Sequence, residues 1–311
     1  MKTQWVVDPS GGGDTVTIME AVEIARAGSI ITILPGVYPE NVILPRTLHL
    51  ESVSPDPGDV VIAPTDGVCL RAETGGGSVI GLTMQGRGNP PIPGRGAPCL
   101  EILSDGFAAE NLRVSSTIGP AIRIAGAAAS LRASRVDGAA GHGVVNEDGG
   151  GAALSGLEIR NTRWAGLLIR TGAAPTATDL TIDGAGQAGI LIASGGRGRI
   201  ERAQIIGAAL SGVEARTGGA PTLIDVSVAR AGGPGLYVHS DGGGRFERLV
   251  IEDAGGSSIL IGPGGAPEIV DALAVGGAEH GLALADGSGG AVLQSSFEDM
   301  AGHAVARDPG S

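Results

Sequence analysis

The 311-residue chain is poor in aromatics: two Trp, two Tyr and three Phe make up 2% of it. Any core it builds is therefore aliphatic, and a sugar site paved with several aromatic platforms is disfavoured. Its only lysine is Lys2, which excludes a G-x-x-x-x-G-K-[ST] phosphate loop. Its two cysteines, Cys69 and Cys99, are too few for a disulfide framework. No apolar run is long enough to span a bilayer as a helix, and the opening MKTQWVVDPS has no apolar signal core. A soluble, cytoplasmic protein is the expectation. Acidic residues outnumber basic ones by 33 to 21, and the net charge of −12 argues against nucleic acid or an anionic membrane as partner.

What the chain does have is 42% apolar residues and 56 glycines. That is too apolar for disorder, and without a G-X-Y period it is not collagen. The glycines recur with a period. Frames placed at Ala128, Gly151, Ala174, Arg197, Ala220, Gly243, Ala266 and Gly289 are each 23 residues apart and need no gap. Counted from these starts, column four is mostly Leu or Ile, and column nine runs Val136, Ile159, Ile182, Ile205, Val228, Ile251, Ala274, Phe297. Column seventeen runs Val144, Leu167, Ile190, Val213, Leu236, Ile259, Leu282, Val305, and the residue before it is nearly always Gly.

Apolar columns two apart mark strands with one face inward, and glycine clusters mark corners. Columns four, seven and nine also read L-x-x-L-x-L, as in a leucine-rich repeat. Column twelve, however, is small rather than Asn, and the second half of each unit reads as strand. The pattern predicts an all-β, single-stranded, right-handed parallel β-helix (a solenoid) of 23-residue coils. A second period of 46 lies on the first, in Pro175, Pro221 and Pro267 and in GRIER (198–202) against GRFER (244–248). Column six then reads Asp179, Arg202, Asp225, Arg248, Asp271, an outward ladder of alternating charge that would fix register.

One β-helix domain over 1–311 is expected, with an N-terminal cap over 1–30, irregular coils over 31–127 and eight regular coils over 128–311. Leu70, Leu100, Ile122 and Val144 share column seventeen, with a Pro-rich loop over 87–95 between the first two. Cys69 and Cys99 then stack in the small-residue column, as filler, a redox pair or a metal clip. Thr17 and Glu20 fit a capping box for a helix over about 17–27 that covers the first coil. The far end shows no comparable cap, and the expectation is that the chain is cut there, that a further domain follows Ser311, or that ends pair.

The segment 11–44 resembles the opening of pectinesterase-like and pectate-lyase-like right-handed β-helix proteins of the pectin-lyase-like superfamily. Thr17, Glu20, Ala21, Gly36, Tyr38, Glu40 and Asn41 carry the match. The later repeats resemble actinobacterial β-helix repeat proteins, some of which are joined to an AAA+ ATPase. That resemblance implies an AAA+ module as one candidate partner, either left off this sequence or on another chain. It also implies catalytic sets to look for. The pectinesterase Gln-Asp and Arg-Pro-Trp segments are missing. Of the polygalacturonase motifs only Gly141-His142-Gly143 occurs, and the chain contains no Asp-Asp pair. The trans-coil signatures of pectate lyases are missing too.

Two sites remain. His142, His280 and His303 share column fifteen, and Glu279, Glu298 and Asp299 are placed around the same corner as His280 and His303, a candidate acid–base cluster. Column eighteen points away from the core. It opens with Arg71, Glu101 and Arg123 and continues as Val145, Leu168, Leu191, Glu214, Tyr237, Leu260. An apolar stripe on a wet face marks an interaction surface. The reading favours a non-catalytic scaffold or binding module for a protein or glycan partner, or for self-association, without cofactor or metal. The alternative is a polysaccharide-acting lyase or hydrolase with a non-standard site.

Overall fold

The structure is a computed structural model describing residues 2–147 and 149–307. The segment 308–311, into which the eighth repeat runs, lies outside the described residues. The chain is an all-β parallel β-solenoid of about 13 coils, each of about 23 residues, with one short helix. It divides into two compact units, Met1–Val145 with Gly149–Glu158, and Asn146–Asp148 with Ile159–Ser311.

In the first unit each coil contributes to three parallel ladders. The short strands Val42–Leu44, Leu70–Ala72, Leu100–Ile102 and Ile122–Ile124 stack in that order, so Leu70, Leu100 and Ile122 are register partners, as their shared column requires. A second ladder runs from Ser29–Ile33 through Leu48–Ser52, Gly77–Ile80 and Ala108–Glu110 to Ser130–Arg132. A third begins at Gly36–Tyr38 and Val60–Ile62. The loop 87–95 leaves this stack between coils and is pinned where the Gly94 and Gly96 N–H groups both donate to the Ile118 carbonyl, at 3.1 and 3.0 Å.

The residues that carry the family resemblance have structural work here. Helix α1 (Ile18–Ile24) buries Ile18, Ala21 and Val22. Its capping box closes as the Glu20 N–H donates to Thr17 Oγ1 and the Thr17 N–H to Glu20 Oε2, both at 3.2 Å. Glu40 then accepts the N–H groups of Ile18 and Met19, one on each oxygen, at 2.8 Å. These are orphan donors at the positive end of a helix. The Tyr38 hydroxyl donates to the Leu34 carbonyl at 2.7 Å. Burial, with the charges of Asp8 and Glu40, raises its pKa to about 12. Asn41 Nδ2 donates to the carbonyls of Asp66 and Val68, tying one coil to the next. The helix is shorter than the expected 17–27. The chain leaves it at Ala25, at φ −71° and ψ 142°. There Arg46 reaches the carbonyls of Val22, Glu23 and Ala25, so the last turn is finished by a side chain from the next coil.

In the second unit the short strands Leu167–Ile169, Ile190–Ile192, Val213–Ala215, Leu236–Val238, Ile259–Ile261, Leu282–Leu284 and Val305–Arg307 form one ladder in strict order. Leu167, Ile190 and Val213 are register partners with no exposed surface. Opposite them run the longer strands Thr176–Asp183, Arg199–Ile206, Thr222–Ala229 and Arg245–Glu252. Their pairing skips column six, where the chain kinks.

Glycine is only part of how the corners turn. Column six takes positive φ with other residues: Asp179 at 56°, Arg202 at 53°, Asp225 at 55°, Arg248 at 52° and Asp271 at 57°. Asp tolerates this region, whereas Arg is strained in it. Each Arg is held there by its neighbour. Arg202 forks onto Asp179 at 2.7 and 3.0 Å, and Arg248 onto Asp225 at 2.5 and 3.0 Å. These bonds hold both carboxylates below their ordinary pKa.

Two glycine columns answer to close approach instead. In column sixteen a methyl on Gly166, Gly189, Gly212 or Gly235 would overlap the branched carbon of Ile182, Ile205, Val228 or Ile251, the column-nine residue of the next coil. Where column sixteen carries Ser258, the same register places the small Ala274 opposite. In column two, Pro175, Pro221 and Pro267 alternate with Gly198, Gly244 and Gly290. A Cβ on Gly198 or Gly244 would meet the carbonyl oxygen of the preceding proline at 2.8 or 2.6 Å. The 46-residue period thus has a steric origin.

Two outcomes are expected. Gly189→Ala destabilises the fold by about 1–3 kcal/mol. Combined with Ile205→Ala, it shows a favourable coupling of about 0.5–3 kcal/mol in urea titrations; strict additivity would contradict the contact. For column six the sign follows from depressed carboxylates. Their contribution is present above the unfolded Asp value of about 3.9 and is lost as pH falls through the lower folded values. The urea midpoint of the wild type therefore drops more steeply with acid than that of Asp179→Asn/Asp225→Asn. Because the pairs are exposed, about 1 M NaCl narrows the difference.

Candidate functional site

Each three-residue strand turns its middle residue outward, so column eighteen forms the outer face of the short-strand ladder. In the first unit this face carries Arg71, Glu101 and Arg123 in register. Glu101 is only 4% exposed. Both neighbours neutralise it, Arg71 Nε at 2.5 Å and Arg123 Nη1 at 2.6 Å. A buried carboxylate without such partners would be strongly penalised.

In the second unit the register runs Leu168, Leu191, Glu214, Tyr237, Leu260. The sequence places Val145, Leu168 and Leu191 on a wet face, yet they are 3%, 6% and 6% exposed. Tyr237 and Leu260 are half-buried. From Leu168 to Leu260 the stripe is continuous in register, but its leucines are not open surface. Like side chains stacked at the inter-strand spacing of about 4.8 Å hide one another's flanks. Around Glu214, column twenty also folds back over column eighteen. Arg216 Nε lies 3.0 Å from Glu214 Oε1, and His239 Nε2 lies 2.9 Å from the same oxygen. The His239 ring stacks on Tyr237, with centroids 3.8 Å apart.

Glu214, Arg216, Tyr237 and His239 thus form a compact polar centre on an otherwise apolar strip. Sequence reasoning found Tyr237 and noted Glu214, but missed Arg216 and His239. The available signal was position: both occupy column twenty, one turn of pleat beyond column eighteen, and His239 belongs to the coil after Glu214.

The column-fifteen cluster assembles in part. His280 and His303 stack with centroids 5.6 Å apart and planes 2° from parallel. The His303 N–H donates to His280 Nδ1 at 3.0 Å. That bond makes Nδ1 the acceptor, so in the neutral ring the proton sits on Nε2. Glu279 accepts from Ser257 Oγ at 3.1 Å. Glu298 and Asp299 are exposed, and among the described residues neither bonds to either ring. Nor is any group of three or more His, Cys, Asp and Glu among the described residues arranged to hold a metal ion.

Neither a protein-family profile nor any curated protein matches the chain. Solved structures do. The A-module of the Azotobacter vinelandii mannuronan C-5 epimerase AlgE4 superposes with a TM-score of 0.71 at 16% identity, covering 94% of this chain and 92% of that one. PfbA, a surface adhesin of Streptococcus pneumoniae, gives 0.60 at 13%, covering 93% and 88%. A family 6 polysaccharide lyase from Pseudopedobacter saltans gives 0.56 at 14%, covering 88% and 85%. These likenesses show the fold alone: the chain is a right-handed parallel β-helix. The fold is shared by an epimerase, a lyase and an adhesin, so the choice of function falls to the site.

The His280 geometry gives a direct check. Nitrogen NMR of the imidazoles is expected to show the neutral ring of His280 with Nδ1 unprotonated, and His303→Ala, which keeps the backbone N–H, leaves that tautomer unchanged. A neutral ring protonated on Nδ1 would contradict the bond.

Proposed function

We propose that this chain is a non-catalytic β-solenoid binding module that docks a glycan on the outer face of its short-strand ladder. The observation that carries the reading is the Tyr237–His239 ring stack set beside Glu214 and Arg216. An aromatic face with a carboxylate and a guanidinium at its rim is suited to a sugar ring, whose C–H face stacks while its hydroxyls exchange hydrogen bonds. Arg216 and His239 both spend a nitrogen on the same Glu214 oxygen, so the cluster's charges are already committed to each other. The paired carboxylates that glycoside hydrolysis uses do not meet here among the described residues. A net charge of −12 disfavours polyuronates at long range and favours a neutral polymer.

A second reading, a polysaccharide lyase or hydrolase, has its own observation. Glu214 holds His239 through Nε2, which leaves Nδ1 as a base beside the Tyr237 ring.

Native gels containing neutral or uronate polysaccharides separate these readings. Retardation by a neutral glycan is expected, weakened about tenfold, or 1.4 kcal/mol, by Tyr237→Ala and by Glu214→Gln, with circular dichroism unchanged. No product should appear. Absence of retardation by every glycan, with concentration-dependent light scattering instead, would move the face to a protein partner or a second copy. Turnover abolished by His239→Ala would establish the enzyme.

A further inference from the structure

Cys69 and Cys99 belong to successive coils. The Cys69 N–H donates to the Cys99 carbonyl at 2.9 Å, so the two residues are ladder neighbours. Both thiols are free and have no exposed surface, and their sulfurs lie 3.1 Å apart. Adjacent strands hold Cα atoms about 4.8 Å apart with both side chains on one face, which falls within the range a disulfide spans. Further along this column stand Ala121 and Gly143. Two adjacent positions therefore carry sulfur where smaller residues follow.

The surroundings are fitted to the sulfurs. A Cβ on Gly86 would lie 3.1 Å from Cys99 Cβ, 3.2 Å from Ser116 Oγ and 3.4 Å from Cys99 Sγ, a tighter fit than side chains usually make. Burial, and then Cys69, push the Cys99 thiol up, while the Gly86 N–H pulls it partly back. Gly86 and Cys99 also bracket the segment 87–98, whose residues 87–89 and 91–93 are exposed and whose residues 96–98 are half-buried. The dithiol sits at the root of the one long loop that leaves this stack. Local opening of such a loop is the least costly route for a small oxidant to a buried sulfur.

We infer that Cys69 and Cys99 form a reversible modification site, an intrachain disulfide that staples two successive coils at the root of the loop when a hydroperoxide is the oxidant. One thiolate attacks a peroxide oxygen. The O–O bond breaks, water leaves, and the sulfur becomes a sulfenic acid. The second thiolate then attacks that sulfur, the S–O bond breaks, and the departing hydroxide takes a proton to form a second water. Two thiols and one hydrogen peroxide give one disulfide and two waters, with both sulfurs oxidised and both peroxide oxygens reduced. The bond closes a segment of 30 residues (99 − 69 = 30). It therefore restrains the unfolded chain and the loop together. The inference is independent of the glycan reading, because it concerns the interior of the first unit.

The full chain is reduced, freed of reductant, treated with hydrogen peroxide in native buffer, then unfolded in guanidinium with N-ethylmaleimide. The expected mass is 2 Da below the reduced chain, with no maleimide added. Trypsin should yield one linked species joining peptide 47–71 to peptide 96–113. Dithiothreitol should restore two maleimide adducts, and the oxidised chain should show a higher urea midpoint than the reduced one. Two maleimide adducts after oxidation would overturn the inference, as would sulfinic or sulfonic products on either cysteine. So would a cross-link that forms only above the unfolding midpoint. Cys69→Ala removes the cross-link and the midpoint shift together; if it fails to fold, the wild-type peptide map still decides.

Discussion

Hydrogen bonding between successive coils governs this molecule. Each strand pairs in parallel with its counterpart one coil later, and parallel pairing carries no turn of its own to set its register. The register must come from side chains that fit only when equivalent columns superpose. One such fit is between column sixteen and column nine, where Gly189 receives the branched carbon of Ile205 and Gly212 that of Val228. Sliding one strand by a residue would drive Cβ atoms into that space and turn the aliphatic columns outward. Glycine is abundant because the coil is narrow, and the coil can be narrow because glycine is there.

From that constraint the surface chemistry follows. Superposed columns bring residues 23 positions apart within reach, so charge alternation along the chain becomes ion pairing between coils. Asp179 with Arg202 and Asp225 with Arg248 are such pairs, and they also hold the two arginines in a backbone region they would otherwise avoid. The same geometry makes the two buried carboxylates. Glu101 is neutralised from the coil before and the coil after, whereas Glu214 meets the Arg216 guanidinium of its own coil and the His239 ring of the next. A carboxylate buried on an outer face needs polar partners, and stacking supplies them without a dedicated loop.

The N-terminal segment shows why a family-like motif can speak for fold and be silent on activity. Glu40 sits on the free N–H groups of α1, Arg46 on its last carbonyls, and Asn41 on the carbonyls of the next coil. Each residue closes an open end of backbone at the first coil, a requirement for any solenoid of this kind whatever it binds.

The period of 23, the inward columns and the Asp–Arg ladder could be read directly, because each is a regularity along one dimension. Leu167, Ile190 and Val213 are interior neighbours for the reason their spacing implies. The extent of α1 could not be read, because the residue that ends it, Arg46, comes from another coil. Nor could the burial of Leu168 and Leu191, or the convergence of Arg216 and His239 on Glu214. A column number fixes which face a side chain leaves from. How far that side chain then leans over its neighbours depends on the shapes beside it, and those exist only once the coils are stacked.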